Sequence, residues 1–293
     1  MNNLNNNFSK EAVFPTNDFV FKRIFGRPQN SESTKSLIES ITNENIKSID
    51  LDKNTILEKD ITSDKLGILD VRAILNNNIE VDIEIQVVNQ KNIEKRLLFY
   101  WSKIYIKTIE KGEEYEKLRR TIVIMIADFE FKNLKDIPKY HTRWKILETE
   151  YSKKVLTDDF EIDILELPKV KKYDKENNKN KSLLLWTKFF TNPDELEEKE
   201  MKENEGVKKA KEELDEISQS EHEAYLAELR LKYIRDKNAE IAFAKDEGYE
   251  IGIKEGEKNK QIEIAKKLLQ ENIDIKIIIS VTGLSEEDIK NLK

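Results

Sequence analysis

The chain has 293 residues and a formal net charge of −7, with 38% apolar and 37% charged residues. A chain of this length can bury a substantial core, while the large charged share predicts that much of it is exposed or forms slender helices. It contains no cysteine, which excludes disulfide frameworks and thiolate chemistry. No apolar run approaches the roughly 18 residues that span a bilayer and the Asn-rich start lacks an apolar signal core, so we expect a cytoplasmic protein without membrane contacts.

The beginning of the chain predicts a polar lead followed by a short helix. Residues 1–12 are rich in asparagine and we expect them to be disordered. Thr16 or Asn17 can cap the helix, an apolar stripe follows at helical spacing, and Gly26 ends it. Asp18 lies in the first turn, where a negative charge stabilises a helix, so we favour this interpretation over a role near an active site. A second helix is predicted over residues 33–42.

Residues 66–88 have the alternating pattern of a β-hairpin. Its arms are residues 66–73 and 80–88, joined by the run of asparagines at 76–78. The apolar sides of both arms must meet the same core, and a one-residue slip would turn every side chain of one arm to the wrong face. The alternation therefore restricts the register of the hairpin.

The register brings carboxylates together on the polar face. A loop of about three residues centred on Asn77 places Asp70 opposite Glu84 and Arg72 opposite Asp82, whereas a five-residue loop would make Asp70 and Glu84 diagonal neighbours. Facing carboxylates destabilise a ladder by up to about 1 kcal/mol, and a divalent cation between them removes this repulsion. Carboxylate oxygens favour Mg²⁺ or Mn²⁺ over zinc. The alternative is a solvated polar face on which Arg72 neutralises its neighbours.

A helix and a buried strand follow the hairpin. Residues 93–109 predict a helix packed on the sheet. Its polar face either contacts phosphates or is simply solvated, and it carries Arg96, Tyr100, Lys103 and Lys107. Residues 121–127 form an unbroken apolar run, which indicates a central strand covered on both faces. Further on, residues 160–167 predict a strand and residues 183–190 a core helix, while the region around Trp144 is interpreted as a variable connection. His141 has no histidine nearby, so we do not expect it to bind a ligand.

The composition changes after Pro193. Residues 194–256 predict a charged helical hairpin or coiled-coil arm that could support self-association. Within it Gly248, Gly252 and Gly256 recur every four residues and permit close approach of another helix. The tail predicts short helices in an arrangement similar to a helix-turn-helix, in which acidity favours a capping role over DNA contact. Residues from Thr191 onward carry a charge of about −9, which leaves about +2 for the part before them, a balance compatible with DNA.

An aspartate on one strand, followed on the next strand by Glu-x-Gln inside the string DIEIQ, resembles the PD-(D/E)XK nuclease superfamily, in the branch where glutamine replaces the final lysine. Four blocks occur in order: NDFVFKRIFG at 17–26, the hairpin, the helix at 96–118 with the strand after it, and the tail at 263–289. Through these blocks the chain resembles, more narrowly, the recombination-promoting nuclease and putative transposase family, also called the PD-(D/E)XK nuclease family transposases.

The resemblance implies an α/β fold: a restriction-endonuclease-like mixed sheet flanked by helices, with an all-α C-terminal extension. Residues 13–192 would form the nuclease-like domain, and residues 193–293 a helical arm with a small C-terminal helical element. It also implies a Mg²⁺-dependent DNA endonuclease of low sequence specificity, linked to recombination or mobile DNA. A homodimer through the C-terminal helices is a further expectation.

The family pattern also implies the roles of individual residues. Asp70 and Glu84 would bind the metal together with the Ile85 carbonyl, with Mn²⁺ or Ca²⁺ as alternatives to Mg²⁺. Gln86 would orient the attacking water, and Lys65 could stabilise developing negative charge. The contrasting hypothesis is a catalytically weak or inactive nuclease-fold protein that acts as a DNA-binding or protein-interaction module.

Overall fold

The structure is a computed structural model that describes residues 12–51, 71–89, 92–170, 172 and 180–292. It contains two compact units, Met1–Lys232 and Tyr233–Lys293, which are described separately below.

The first unit is built on a six-stranded mixed sheet. Its strands are β1 (Ile49–Leu51), β2 (Val71–Leu75), β3 (Ile79–Gln86), β4 (Arg120–Ala127), β5 (His141–Trp144) and β6 (Phe160–Glu166). Their order in the sheet is β1-β2-β3-β4-β6-β5. Strands β3, β4 and β6 run parallel, and the outer pairs are antiparallel. Strand β4 is central and its residues 121–127 are all buried, which confirms the prediction from its unbroken apolar sequence.

The helices cover both faces of this sheet. They are α1 (Asp18–Phe25), α2 (Ser31–Thr42), α3 (Ile93–Ile106), α4 (Leu167–Val170), α5 (Lys181–Thr191), α6 (Glu198–Glu203), α7 (Glu205–Gln219) and α8 (Glu221–Gln270), of which α8 continues into the second unit. A mixed sheet with flanking helices and a long C-terminal helical region confirms the predicted fold class.

The larger core lies on the face of the sheet that carries Val81, Ile83 and Ile85 of β3. Helices α1, α2, α5 and α7 pack there, and the aromatic rings of α1 contact those of α5. Phe25 and Trp186 have ring centroids 5.5 Å apart, and both are fully buried. The predicted apolar stripe of α1 and the predicted packing role of the α5 aromatics are thereby confirmed.

Helix α3 covers the other face. Its buried residues Ile93, Leu97 and Ile104 join a second core with apolar side chains of β4 and β6. Val123 is one of these, and it is the neighbour of Ile122, which faces the larger core. The alternation of β4 between two covered faces is the reason that its residues 122–127 are all apolar.

The hairpin of β2 and β3 has the predicted register. Arg72 pairs with Asp82, and Leu75 pairs with Ile79 across a three-residue loop, so the five-residue alternative is excluded for the described ladder. Asn76 and Asn77 adopt φ values of 51° and 59°. This left-handed region suits asparagine better than most other residues, which explains the asparagine run in the loop.

The structure corrects the interpretation of the region around Trp144. It is an edge strand, β5, that pairs antiparallel with β6 through Trp144 and Ile162 among others. A strand of four residues with the sequence HTRW has no apolar alternation of its own. Its conformation depends on its partner strand, which a local pattern does not reveal.

The compact unit also extends past the predicted domain boundary between residues 192 and 193. Buried side chains of α7 and of the first turns of α8, including Val207, Leu214 and Leu226, belong to the larger core. At the other end Ala12, which was assigned to the disordered lead, is buried in the same core. Residues 1–11 lie outside the described residues, and where an independently folding domain begins and ends stays a prediction.

The second unit contains the rest of α8, followed by α9 (Ile275–Thr282) and α10 (Glu286–Lys290). Ala265, Ile278, Leu284 and Ile289 form its small core. Gly283, at φ 71°, separates the last two helices. Within the described parts of the chain, every helix is too short or too polar to cross a membrane.

Candidate active site

The polar face of β3 carries the predicted site. Asp82, Glu84 and Gln86 point to the α3 side of the sheet, because β3 pairs in parallel with β4 and Glu84 is level with Met125 of the second core. Asp82 is fully buried and Glu84 is 2% exposed, whereas Gln86 is half-buried. Two carboxyl groups lie next to each other on a face that is largely shielded from water, which is an expensive environment for charge unless cations or hydrogen bonds compensate it.

Part of this compensation comes from β2. The Arg72 guanidinium Nε lies 3.6 Å from Asp82 Oδ1, in the predicted cross-strand position. The predicted neutralising role of Arg72 is therefore observed at Asp82. We therefore interpret Asp82 as a residue that stabilises the hairpin. Glu84, two residues further along, is the carboxylate nearer to the end of β3.

Two of the predicted site residues lie outside the described residues. The described ladder of the hairpin ends at the pair of Val71 and Ile83, one residue before Asp70. Asp70 and Lys65 therefore stay predictions, while Glu84, Ile85 and Gln86 are placed on β3 as expected from the sequence. Among the described residues, no group of three or more acidic or histidine side chains is arranged to hold a metal ion.

The backbone of β3 presents the Ile85 carbonyl to the side on which β2 lies. The Gln86 carbonyl accepts a hydrogen bond of 2.9 Å from the backbone N–H of Asp128, which follows β4. Successive carbonyl groups of a strand point to opposite sides within the sheet, so the Ile85 carbonyl points away from β4. It is thus directed to the side of the hairpin arm that carries Asp70 in the sequence.

Helix α3 presents cations to this face. Its rotation is set by Trp101, whose ring lies 4.8 Å from the Phe160 ring, and by Tyr105, whose hydroxyl donates a hydrogen bond of 3.1 Å to Asp159. These contacts turn one side of the helix to β6. At 3.6 residues per turn, Arg96 and Lys103 lie on the other side of the helix, away from β6. Helix α3 therefore carries cations on the same side of the sheet as the acidic face of β3.

A second buried acidic cluster lies on the opposite face of the sheet, and the sequence pattern did not predict this cluster. Glu161 and Asp163 of β6 are 1% and 0% exposed. Glu161 contacts Arg120 at 2.9 Å and Arg143 at 3.2 Å, and Asp163 contacts Arg143 at 3.0 Å and His141 at 2.7 Å. The alternation of Glu161, Ile162, Asp163 and Ile164 was the available signal, but the cations come from other strands.

Burial raises the pKa of the Glu161 carboxyl, and the neighbouring Asp163 carboxylate adds to the rise, against the opposing effects of Arg143 and Arg120. Both carboxyl groups have cations or a histidine at contact distance, so the cluster connects β4, β5 and β6 as a structural ion network. It lies on the face away from Glu84 and does not join the predicted site.

Two family profiles match the chain, one over most of its length and one at its C-terminal end. The sequence profile of the PD-(D/E)XK nuclease family transposases matches residues 15–244, and the profile of the C-terminal helix-turn-helix domain of the Rpn/YhgA-like nuclease family matches residues 258–293. No curated protein and no solved structure matches the chain. The first matched range contains the whole sheet and the acidic face of β3.

Proposed function

Because the chain belongs to the PD-(D/E)XK nuclease family transposases, we propose that it is a Mg²⁺-dependent DNA endonuclease of low sequence specificity, linked to recombination or mobile DNA. Membership of this family and the helix-turn-helix match at its end suggest a nuclease that binds DNA. The observation that carries the proposal is the position of Glu84 and Gln86, side by side at the end of β3 on a shielded face of the sheet.

The proposed metal ligands are Asp70, Glu84 and the Ile85 carbonyl. If the observed register continued by one residue beyond the pair of Val71 and Ile83, Asp70 would lie opposite Glu84. Two carboxylates and a carbonyl are a hard oxygen donor set, which fits Mg²⁺, or Mn²⁺ or Ca²⁺, better than zinc. A bound ion of this kind supplies polarisation of the scissile phosphate and a water of lowered pKa.

The other proposed roles belong to side chains of the chain itself. Gln86 orients the attacking water through its amide, which can accept and donate hydrogen bonds but carries no charge. Lys65 supplies the positive charge that stabilises the phosphate as negative charge develops. The positive charge thus comes from outside the strand that carries Glu84.

The neutral Gln86 also supports a second candidate function. Where lysine is the usual residue, glutamine can neither act as a base nor contribute charge. A nuclease fold with weak or no catalysis would then act as a DNA-binding or protein-interaction module. Binding without cleavage would identify this function.

We also propose a homodimer through the C-terminal helices. Large apolar side chains on α8, among them Ile241, Phe243, Tyr249 and Ile251, are more than half exposed. A Cβ atom placed on Gly248, Gly252 or Gly256 would meet no atom within 4 Å. Exposed apolar residues beside small ones fit close approach of an identical helix.

Plasmid nicking by the purified full-length protein, with Mg²⁺ and with EDTA, tests the proposed activity. Asp70→Ala and Glu84→Ala should each abolish Mg²⁺-dependent cleavage. Glu80→Gln is the matched control, since Glu80 lies on the same strand face but forms an ion pair of 2.9 Å with Arg119; this variant should cleave like the wild type. Cleavage by Asp70→Ala at the wild-type rate would refute the proposed site.

A second readout does not depend on activity. Mg²⁺ binds the folded site, so it should raise the melting temperature of the wild type. Asp70→Ala and Glu84→Ala should lack the full shift, whereas Glu80→Gln should keep it. Equal shifts in all four proteins would place the ion elsewhere.

A further inference from the structure

Helix α3 is a local exception to the acidic character of the chain. Between residues 95 and 109 there is no aspartate or glutamate, although the chain as a whole has a net charge of −7. The same stretch contains four cations, which are Lys95, Arg96, Lys103 and Lys107. Three of them, Arg96, Lys103 and Lys107, recur at spacings of seven and four residues and so share one side of the helix.

Aromatic rings lie among these cations. The Phe99 side chain is 59% exposed, and its ring centroid is 5.9 Å from that of Tyr100, at an angle of 61°. The Arg96 guanidinium lies 5.5 Å from the centroid of the Tyr100 ring and donates a hydrogen bond of 3.1 Å to its hydroxyl. The Lys103 ammonium lies 6.0 Å from the centroid of the Phe99 ring. Each aromatic ring is therefore held beside a cation, and Phe99 keeps much of its surface in solvent.

Burial does not explain this exposed ring. The core side of α3 is formed by Ile93, Leu97 and Ile104, and Phe99 lies outside that set. Exposing an aromatic side chain forgoes the roughly 1.5–3 kcal/mol that its burial would contribute. Its position between cations, on a helix that packs against β4 on the same side of the sheet as Glu84, indicates a ligand that is anionic and has flat faces.

We propose that this side of α3, defined by Arg96, Phe99, Tyr100, Lys103 and Lys107, binds single-stranded nucleic acid next to the site on β3. Phe99 stacks on an unpaired base, and Lys103 and Lys107 contact the phosphates on either side of it. The proposal rests on the proposed nuclease function for its biological role, but binding itself requires only the residues of α3.

The chemistry favours a single strand over the other occupants. In a duplex both faces of each base are covered by neighbouring bases, whereas an unpaired base can stack on an aromatic ring. A second copy of the chain would bring the same cations against each other across a two-fold interface, which is repulsive. Phosphates next to an unpaired base match both the charge and the exposed ring.

The experiment measures binding of the full-length protein in EDTA, where metal-dependent cleavage cannot occur. The probes are a labelled oligothymidylate and a labelled duplex of the same length, followed by fluorescence anisotropy. Phe99→Ala should weaken binding of the oligothymidylate about tenfold, in line with the loss of one stacked base. Duplex affinity should change much less, and Phe99→Trp should retain single-strand binding.

Tyr151→Ala is the matched control, because Tyr151 is an aromatic residue with 73% exposure on the connection between β5 and β6. It should leave both affinities unchanged. Lys103→Ala should lower the slope of log affinity against log salt by about 0.7 for the single strand, as expected for one lost phosphate contact. Circular dichroism checks that each variant retains its helices.

Equal losses of single-strand and duplex affinity in Phe99→Ala, or no loss of either, would overturn the proposal. So would a change in particle mass by light scattering in Phe99→Ala, which would identify α3 as a protein interface. Asp70→Ala should lose cleavage and bind the oligothymidylate like the wild type. Failure of the nuclease proposal and failure of this one therefore give different results.

Discussion

In the proposed site, Gln86 takes the strand position where the superfamily resemblance places a lysine. Its side chain is half-buried on the same face as Glu84, so a lysine could extend its ammonium into the same space. Gln86→Lys should keep or raise the rate of Mg²⁺-dependent cleavage, because it adds a positive charge beside the proposed metal and water. Plasmid nicking under matched Mg²⁺ measures this.

Gln86→Ala is the comparison, and it should cleave DNA more slowly than the wild type and more slowly than Gln86→Lys. A Gln86→Lys variant that folds, binds Mg²⁺ and does not cleave would show that Gln86 does not face the reacting groups. Retained cleavage in Gln86→Ala would exclude the proposed role of the amide in orienting water.

We expect the stability of the protein to depend on pH through the carboxyl group of Glu161. Burial, followed by the Asp163 carboxylate, raises the pKa of its carboxyl above the unfolded value, which is about 4.3. The folded state therefore holds a proton that the unfolded state has lost, and this contribution to stability declines as pH rises through the folded pKa. Glu161→Gln removes this titration, so the melting temperature of the variant relative to the wild type should increase with pH above about 4.3.

Asp158→Asn is the control for this measurement, because the Asp158 side chain is 77% exposed and lies 3.5 Å from Lys145. Removal of its exposed carboxylate should change the melting temperature little, because an exposed ion pair contributes little to stability. A relative melting temperature of Glu161→Gln that falls with pH would mean that the ion pairs with Arg120 and Arg143 outweigh burial.

At the level of secondary-structure elements, a buried ion pair connects the two ends of the first unit. Arg230 of α8 is 4% exposed and donates to both carboxylate oxygens of Asp18 in α1, with Nε–Oδ1 at 2.9 Å and Nη2–Oδ2 at 2.6 Å. Arg230→Met should lower the free energy of unfolding by about 3 kcal/mol, because it leaves a carboxylate without its bidentate partner. Urea unfolding followed by circular dichroism measures the change.

Lys237→Met provides a matched control on the same helix. Lys237 forms an exposed ion pair with Glu240, three residues further along α8. Loss of this ion pair should lower the free energy of unfolding by less than about 1 kcal/mol. The double variant Asp18→Asn/Arg230→Met should be less destabilised than the sum of its single variants. Strict additivity would show that the two side chains do not stabilise the structure as a pair.

This ion pair also explains the N-terminal block NDFVFKRIFG. Asn17 caps α1 by accepting a hydrogen bond of 3.0 Å from the backbone N–H of Phe19, and its side-chain amide donates to the Ala227 carbonyl of α8. The block therefore holds α1 against α8. The helix-start position that the sequence favoured for Asp18 is observed: it lies in the first turn of α1 and accepts a hydrogen bond of 2.9 Å from the Phe19 N–H, in addition to its contact with Arg230.

At the scale of the whole molecule, the position at which the chain is cut decides whether the first unit folds. Residues 1–232 keep α7 and the start of α8, and should form a soluble monomer that retains Mg²⁺-dependent cleavage. Residues 1–192 lose Val207, Leu214 and Ile217 from the core, each worth about 1.5–3 kcal/mol of burial. Such a loss is a large part of a typical stability of about 5–15 kcal/mol, so this shorter chain should aggregate or melt at a much lower temperature.

Light scattering of the full-length chain completes this experiment. The full chain should be a dimer and residues 1–232 a monomer, if the C-terminal helices mediate self-association. The same oligomer before and after truncation would refute the proposed homodimer. A stable, active chain of residues 1–192 would support the domain boundary between residues 192 and 193 that the sequence suggested.

Local periodicity was sufficient to predict much of this protein. The alternation in β2 and β3 predicted their register and the polar face that carries Asp82, Glu84 and Gln86. The unbroken run of residues 121–127 predicted the central place of β4, and helical spacing predicted that α3 packs on the sheet, although Leu98, one of the apolar positions of that pattern, is exposed. In these segments the physical cause is local, because the side-chain period of an element determines which residues share a face.

Only the tertiary structure decided the features that depend on residues far apart in the sequence. The edge strand β5 exists through its pairing with β6, Glu161 and Asp163 acquire their cations from other strands, and Asp18 meets Arg230 across 212 positions. Helix α7, whose charged sequence suggested part of a helical hairpin or coiled-coil arm, buries one narrow side against α1 and α2. No local pattern encodes these contacts, because burial and ion pairing are properties of the packed chain and not of any single segment.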